Sequence, residues 1–216
     1  MKKAQKQSLF VPGLILAEEF LREEVKLILD SHYTDLTYSA ALIGSGSEVL
    51  EFDSEISMDH HLGPRVMLFL SPDDFRKKRD SIRKVLGGEL TRICMGYATS
   101  FSQPNPDNSG VQILQTSNSG PVNHRVEIYT PEDFFHYYIN INISEELETC
   151  DWLTWPHQKL RSIVAGRVFH DGLGFEEIRI RRIPQHISYK FGISESMPCD
   201  DKINDEIYRF RGLIGD

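Results

Sequence analysis

Cysteine is scarce in this 216-residue chain, with Cys94, Cys150 and Cys199 only. No two share the C-x-x-C spacing of a zinc or redox site, and three scattered thiols exclude a disulfide framework. The expected compartment is therefore reducing and the expected location cytoplasmic. Long apolar runs are lacking as well. No stretch reaches the roughly 18–20 apolar residues that span a bilayer, so no membrane partner is expected. The N-terminus starts basic and turns apolar, but Pro12-Gly13 interrupts the run Leu9–Ala17. With no small-residue cleavage site, it is not read as a signal peptide. Positive charge is in deficit: Lys plus Arg is 24 against Asp plus Glu 32, a net charge of −8. That argues against a broadly cationic nucleic-acid coat, while leaving local nucleic-acid contact open. There is no internal repeat, no GK[ST] ending to a Walker loop and no G-x-S-x-G nucleophile elbow.

What is present belongs to an ordinary globular chain, 40% hydrophobic and 26% charged. A chain of this length buries roughly 70% of its unfolded surface without crosslinks. Residues 14–30 read as an amphipathic helix, with Leu14, Leu21 and Ile28 every seven residues and Ala17, Phe20, Val25 and Leu27 beside them. Tyr38–Ile43, bounded by Gly44, and Arg65–Leu70, after Gly63-Pro64, read as buried strands. Ser71-Pro72-Asp73-Asp74 is a helix start, and Gly87-Gly88 is the expected stop. His124–Thr130 alternates as a strand, and Thr130-Pro131-Glu132-Asp133 repeats the cap–proline–acid signature. Between them, 100–121 is loop chemistry with a short strand at Val111–Leu114. Residues 139–143 fit either a strand or an extension of the helix. Asp151–Asp171 reads as helix in two pieces split near Pro156. The expected class is α/β (α+β): a mixed sheet flanked by helices over residues 14–140, a helical segment over 145–182, and a divergent tail over 183–216.

The strongest local signal is a buried strand ending in Gly44-Ser45-Gly46-Ser47. Small residues let backbone approach a ligand closely, and successive N–H groups form a nest for phosphate oxygens. An ordinary turn is the plainer reading. Downstream lie Glu48, Glu51, Asp53, Glu55, Asp59, His60 and His61. Carboxylates suit hard divalent cations and imidazole suits softer ones, although a solvated acidic loop has the same composition. Arg76, Lys77, Lys78, Arg79, Arg83 and Lys84 form a basic helix face, either solvated or a phosphate contact. Arg65, at a strand start beside the acids, is either a plain surface arginine or a phosphate clamp. His170-Asp171 reads as a helix end capped by Gly172, or as an acid–base pair. Phe134, Phe135, Tyr137, Tyr138, Trp152 and Trp155 either pack together or stack a base.

This arrangement resembles the nucleotidyltransferase superfamily, which places Gly-Ser at a turn, then an acidic pair, then a third acid on a neighbouring strand. Asp59 follows Ser45 or Ser47 at a spacing that fits in either register, and Glu127 in HRVEIYT matches the third acid. The longer strings GSGSEVLEFDSEISMDHHLGPRVMLFL, HRVEIYTPEDFF and DWLTWPHQKLRSIVAGRVFHDGLG look like a bacterial nucleotidyltransferase-like family, domain of unknown function 4037, over about residues 10–182. The resemblance implies a metal-dependent enzyme moving a nucleotidyl group from a nucleoside triphosphate to an acceptor. It assigns Asp59 and Glu127 to catalysis, Asp59, His61 and Glu127 to Mg²⁺ or Mn²⁺, and Gly44, Ser45, Gly46, Ser47 and Arg65 to the nucleotide. The family's Asp-His-Asp here reads Asp59-His60-His61. A carboxylate lost at about 4 Å from a cation is worth on the order of 4 kcal/mol per unit charge at an effective dielectric near 20. The alternative expectation is thus a catalytically degenerate nucleotide- or protein-binding module of the same fold.

Overall fold

The computed structural model describes residues 10–54, 63–103, 112–116, 119–142, 156–176 and 178. Its centre is a four-stranded mixed sheet in the order β5-β2-β1-β6. The strands are β1 (Tyr38–Leu42), β2 (Arg65–Leu70), β5 (Arg125–Tyr129) and β6 (Arg167–Asp171). Strand β1 is antiparallel to β2 and β6, and β2 is parallel to β5, with Met67 opposite Glu127. A two-stranded hairpin, β3 (Ile93–Cys94) and β4 (Tyr97–Ala98), stands apart from this sheet. Its Met95-Gly96 turn has positive φ at both residues, the geometry that matches strand twist in a two-residue hairpin.

Both faces of the sheet are covered, which is why every residue of β1 and β2 is buried and neither strand alternates. On one face, Ala40, Val66, Leu68, Leu70 and Val126 meet Leu16, Phe20, Val25, Leu29, Ile82 and Leu86. Those come from α1 (Gly13–Phe20), a π-helical turn (Leu21–Val25), α2 (Lys26–His32) and α3 (Pro72–Glu89). On the other face, Ala41, Ile43, Met67 and Phe69 meet Phe134, Phe135, Ile139, Leu160, Ile163 and Phe175. Here the cover is α4 (Pro131–Ile139) and α5 (His157–Val164). Phe175 stacks on Phe69 at 3.8 Å, and Phe134 meets Phe69 edge-on at 5.3 Å.

The two cap–proline–acid signatures both start helices. Ser71 Oγ accepts from Asp74 N–H at 3.1 Å, and Thr130 Oγ1 accepts from Asp133 N–H at 3.0 Å. Other expectations need correction. The heptad reading centres the stripe on Ile28, which packs on the core only in part; the fully buried residue is Leu29, and Leu27 is exposed. The wide π turn advances the phase of the helix, so the apolar stripe moves one residue on. Gly87 and Gly88 lie inside α3 rather than ending it. Gly87 instead lets the segment after the long loop come close: Val122 N–H donates to its carbonyl at 2.7 Å. Of the strand expected at Val111–Leu114, an isolated bridge from Leu114 to Phe101 is present, and Val111 lies outside the described residues. Helix α4 stops at Ile139 because Asn140 turns left-handed, at φ 55°. The expected helix to Asp171 stops at Val164, and Arg167–Asp171 becomes the fourth strand. Gly166, at φ 79°, makes that reversal: a Cβ there would collide with the Leu42 carbonyl.

His124 ties α3 to β5. Its Nε2 meets the Arg83 carbonyl at 3.1 Å, and its Nδ1 accepts from Val126 N–H at 3.1 Å. Those contacts define a neutral tautomer. Burial, with Arg83's charge adding to it, holds the imidazole below its ordinary value of 6.5. The folded chain therefore resists a proton that the unfolded chain accepts, and stability is complete above that ordinary value. Stability falls as the pH drops below it and levels off beneath the native pKa. Urea unfolding between pH 7.5 and 5 checks this: the wild type loses stability over that window more steeply than His124→Gln.

Candidate functional site

The turn after β1 is built by burial and charge. Gly44 and Gly46 have φ of 85° and 144°, conformations that L side chains rarely adopt. Gly44 N–H donates to the Ser162 carbonyl of α5 at 2.7 Å. Arg65, from the start of β2, turns back onto the loop. Its Nε donates to Glu48 Oε1 at 2.6 Å, and its Nη2 donates to the Ser45 carbonyl at 2.6 Å. Both charged side chains are over nine-tenths buried, at 8% and 7% exposure. A Cβ on Gly46 would meet the Arg65 guanidinium and the Glu48 carboxylate. Arg65, read from sequence as a plain surface arginine or a phosphate clamp, is buried and is the internal buttress of the turn. The exposed partner that a clamp requires is replaced by Glu48.

The other described acids of that segment are also placed by the fold. Asp53 Oδ2 accepts from Gly13 N–H at 2.6 Å, capping the start of α1 from a distant loop. Glu51, at φ 58°, lines a cleft of about 270 Å³ with Val49, Leu50, Arg161, Val164, Ala165 and Gly166. Asp59, His60 and His61 lie outside the described residues, as do Glu55, Trp152 and Trp155 and the tail 183–216.

Glu127 shares the sheet face of Met67, its register partner, and so points to the side covered by α4. Its side chain is 32% exposed, and Oε1 lies 3.6 Å from Arg125. Its Oε2 accepts from the Tyr129 hydroxyl at 3.0 Å. Burial first, then the charge of Glu127, push the Tyr129 phenol up, so it remains a proton donor. Tyr138, from α4, packs against the turn. Its ring lies against Gly44, where a Cβ would come within 2.7 Å of it. Its oxygen is within hydrogen-bonding range of Ser45, backbone and side chain. Burial and then Glu127 raise this phenol too, with the Ser45 hydrogen bonds and Arg65 opposing. The fold therefore brings Gly44, Ser45 and Glu127 to one locality: Arg65 donates to the Ser45 carbonyl and is the register partner of Arg125, which lies 3.6 Å from Glu127.

Chemically, this is a glycine turn beside the Tyr138 phenol, one partly exposed carboxylate and two guanidinium groups, Arg65 paired with Glu48 and Arg125 at 3.6 Å from Glu127. A phosphate-bearing ligand would find the Tyr138 hydroxyl as a donor there. For a hard divalent ion the site offers the carboxylate oxygens of Glu127. Among the described residues no group of three or more His, Cys, Asp or Glu side chains converges as a metal site. Neither Tyr129 nor the Glu48–Arg65 pairing was singled out in sequence, for a physical reason. Opposite charges 17 positions apart, and a tyrosine in an alternating strand, carry no local pattern.

The remaining sequence candidates resolve as structure. On α3, Arg76 pairs with Asp73, Lys78 with Asp74 at 2.8 Å, and Arg79 with Asp80 at 2.9 Å. The Lys78 hydrogen bond leads the effects that hold the Asp74 carboxyl below its ordinary range. Half of the basic face is thus paired on its own helix. His170 and Asp171 lie on a strand, not at a helix end. The His170 ring packs on Tyr38 at 4.6 Å. Asp171 accepts from Ser39 Oγ at 2.7 Å and from the N–H groups of Phe175 and Glu176 at 2.6 and 3.0 Å. Burial opposes those bonds, but together with His170 they hold its carboxyl below the ordinary value. Phe134 and Phe135 are core residues, whereas Tyr137 is exposed. No helix among the described residues is long and apolar enough to cross a membrane. Comparison with protein-family models, curated proteins and solved structures finds no match to the chain.

Proposed function

We propose that the chain is a nucleotidyltransferase-like protein that takes a nucleoside triphosphate on the turn Gly44–Ser47 and passes its nucleotidyl group to an acceptor. One observation supports this above the others: Arg65, which holds the Ser45 carbonyl, is the sheet partner of Arg125, and Arg125 lies 3.6 Å from Glu127, so residues far apart in sequence meet at one place. The Tyr138 phenol would donate to phosphate oxygens at the turn, whose shape the buried Arg65–Glu48 ion pair holds. Glu127 would hold Mg²⁺ or Mn²⁺, with Asp59 and His61 as the further ligands implied by the family resemblance. When bound, the ion neutralises charge on the phosphates and the leaving pyrophosphate.

A second reading, a catalytically silent nucleotide- or protein-binding module of the same fold, is favoured by the surroundings of Glu127. Its carboxylate already faces Arg125 and accepts the Tyr129 hydroxyl, and a guanidinium beside a metal ligand competes with the cation. Titration of the full chain with each nucleoside triphosphate, in Mg²⁺ and then in Mn²⁺, separates the two. The expected result is saturable binding with release of pyrophosphate. Binding without release, unchanged by His61→Asp, establishes the silent module. Release that appears only on His61→Asp identifies the missing carboxylate as the defect. Absence of binding to every triphosphate overturns the nucleotide site.

A further inference from the structure

We infer that Tyr137 is the platform on which the base of the bound nucleotide stacks, and is therefore the residue that distinguishes a nucleotide from a bare triphosphate at this turn. The inference rests on the nucleotide site proposed above. At 73% exposure, Tyr137 is the most exposed of the large apolar side chains among the described residues. It is not a loop ornament: it sits inside α4, whose register is set by the buried Phe134, Phe135 and Ile139. Its ring meets that of Tyr138 at 5.2 Å and 80°, and Tyr138 lies against Gly44 of the turn. The open aromatic surface thus stands one tyrosine ring away from the turn that would hold the phosphates.

The other aromatics near the site are committed. Phe134 and Phe135 are at most 1% exposed and interlock with Phe69 and Phe175. Phe52, also exposed, donates its backbone N–H to the Ser47 carbonyl at 2.9 Å and has the Arg161 guanidinium over its ring at 5.6 Å. A rigid, solvent-open ring suits any base, because every base has a π face; the inference therefore concerns nucleotide against non-nucleotide, not one base against another.

The test compares two probes on the full chain by calorimetry: the α,β-methylene analogue of ATP, and inorganic tripolyphosphate, both with Mg²⁺. Tyr137→Ala should weaken the nucleotide analogue about 10–100-fold and leave tripolyphosphate unchanged. Tyr137→Phe and Tyr137→Trp should keep nucleotide affinity within about threefold of the wild type, since stacking needs the ring and not the hydroxyl. Phe52→Ala should change neither probe. If the wild type binds both probes and Tyr137→Ala changes neither, or weakens both equally, the stacking role is wrong and the phosphate turn stands. If the wild type binds neither probe, the nucleotide site itself fails and the stacking role goes with it. Because Tyr137 is exposed, circular dichroism and the melting temperature should match the wild type for all three of its variants.

Discussion

Replacing Arg65 with methionine should lower the unfolding free energy by about 3–5 kcal/mol, the cost typical of stranding one charge of a buried pair. Glu48 would then sit almost wholly buried with its guanidinium partner gone. The Ser45 carbonyl would lose its donor at the same stroke. Urea unfolding at neutral pH measures the loss. The double variant Glu48→Met, Arg65→Met should recover a large part of it, because two apolar side chains of similar length leave no orphaned charge. A single-variant loss below about 1 kcal/mol would show that water or another group reaches Glu48. Nucleotide binding adds a second readout. If the pair acts as the buttress of the turn, the double variant folds but holds Gly44–Ser47 less rigidly, and its affinity for tripolyphosphate drops.

Glu127→Gln should reduce pyrophosphate release about a thousandfold, with the fold intact. The figure follows from one unit charge at about 4 Å from a cation at an effective dielectric near 20, roughly 4 kcal/mol in the barrier. Stability should change little, because the side chain is one-third exposed and glutamine still accepts the Tyr129 hydroxyl. Affinity for the methylene analogue separates the two functional readings. In a transferase, loss of the ligand weakens nucleotide held with Mg²⁺. In a silent module, removing a negative charge beside the phosphates strengthens binding and leaves it independent of Mg²⁺. Rates of release equal in wild type and Glu127→Gln would remove Glu127 from the catalytic assignment.

Local chemistry was legible where a short window contains its own cause. Ser71-Pro72 and Thr130-Pro131 carry a hydroxyl cap, a preset φ and acids within four residues, and both start helices. Strand β2 matched to the residue, because Gly63-Pro64 and Ser71-Pro72 bound an apolar run too short for a helix. Windows failed where the deciding partner was remote. RVFHD suits the end of a helix or a strand equally, and the open edge of β1 decided for the strand. Gly87-Gly88 reads as a stop, yet both glycines lie in the last turn of α3, where the Gly87 carbonyl accepts from Val122 N–H. At the site, the turn and Glu127 were visible as residue types. The role of Arg65 was not, since the same guanidinium is a ligand clamp in the open and a strut when a carboxylate is buried beside it.

By itself, the amino-acid sequence determined which segments are apolar on both sides, where helices begin, and that a glycine-serine bend follows a buried strand. These depend on neighbours a few positions apart, and the chain carries them wherever it goes. Only the tertiary structure decided that Glu48 neutralises Arg65, that Asp53 caps α1, and that Tyr138 packs against Gly44. Each is a pairing across many residues. Such pairings are selected by which faces the sheet buries, and their energies exist only once water has been excluded between the partners.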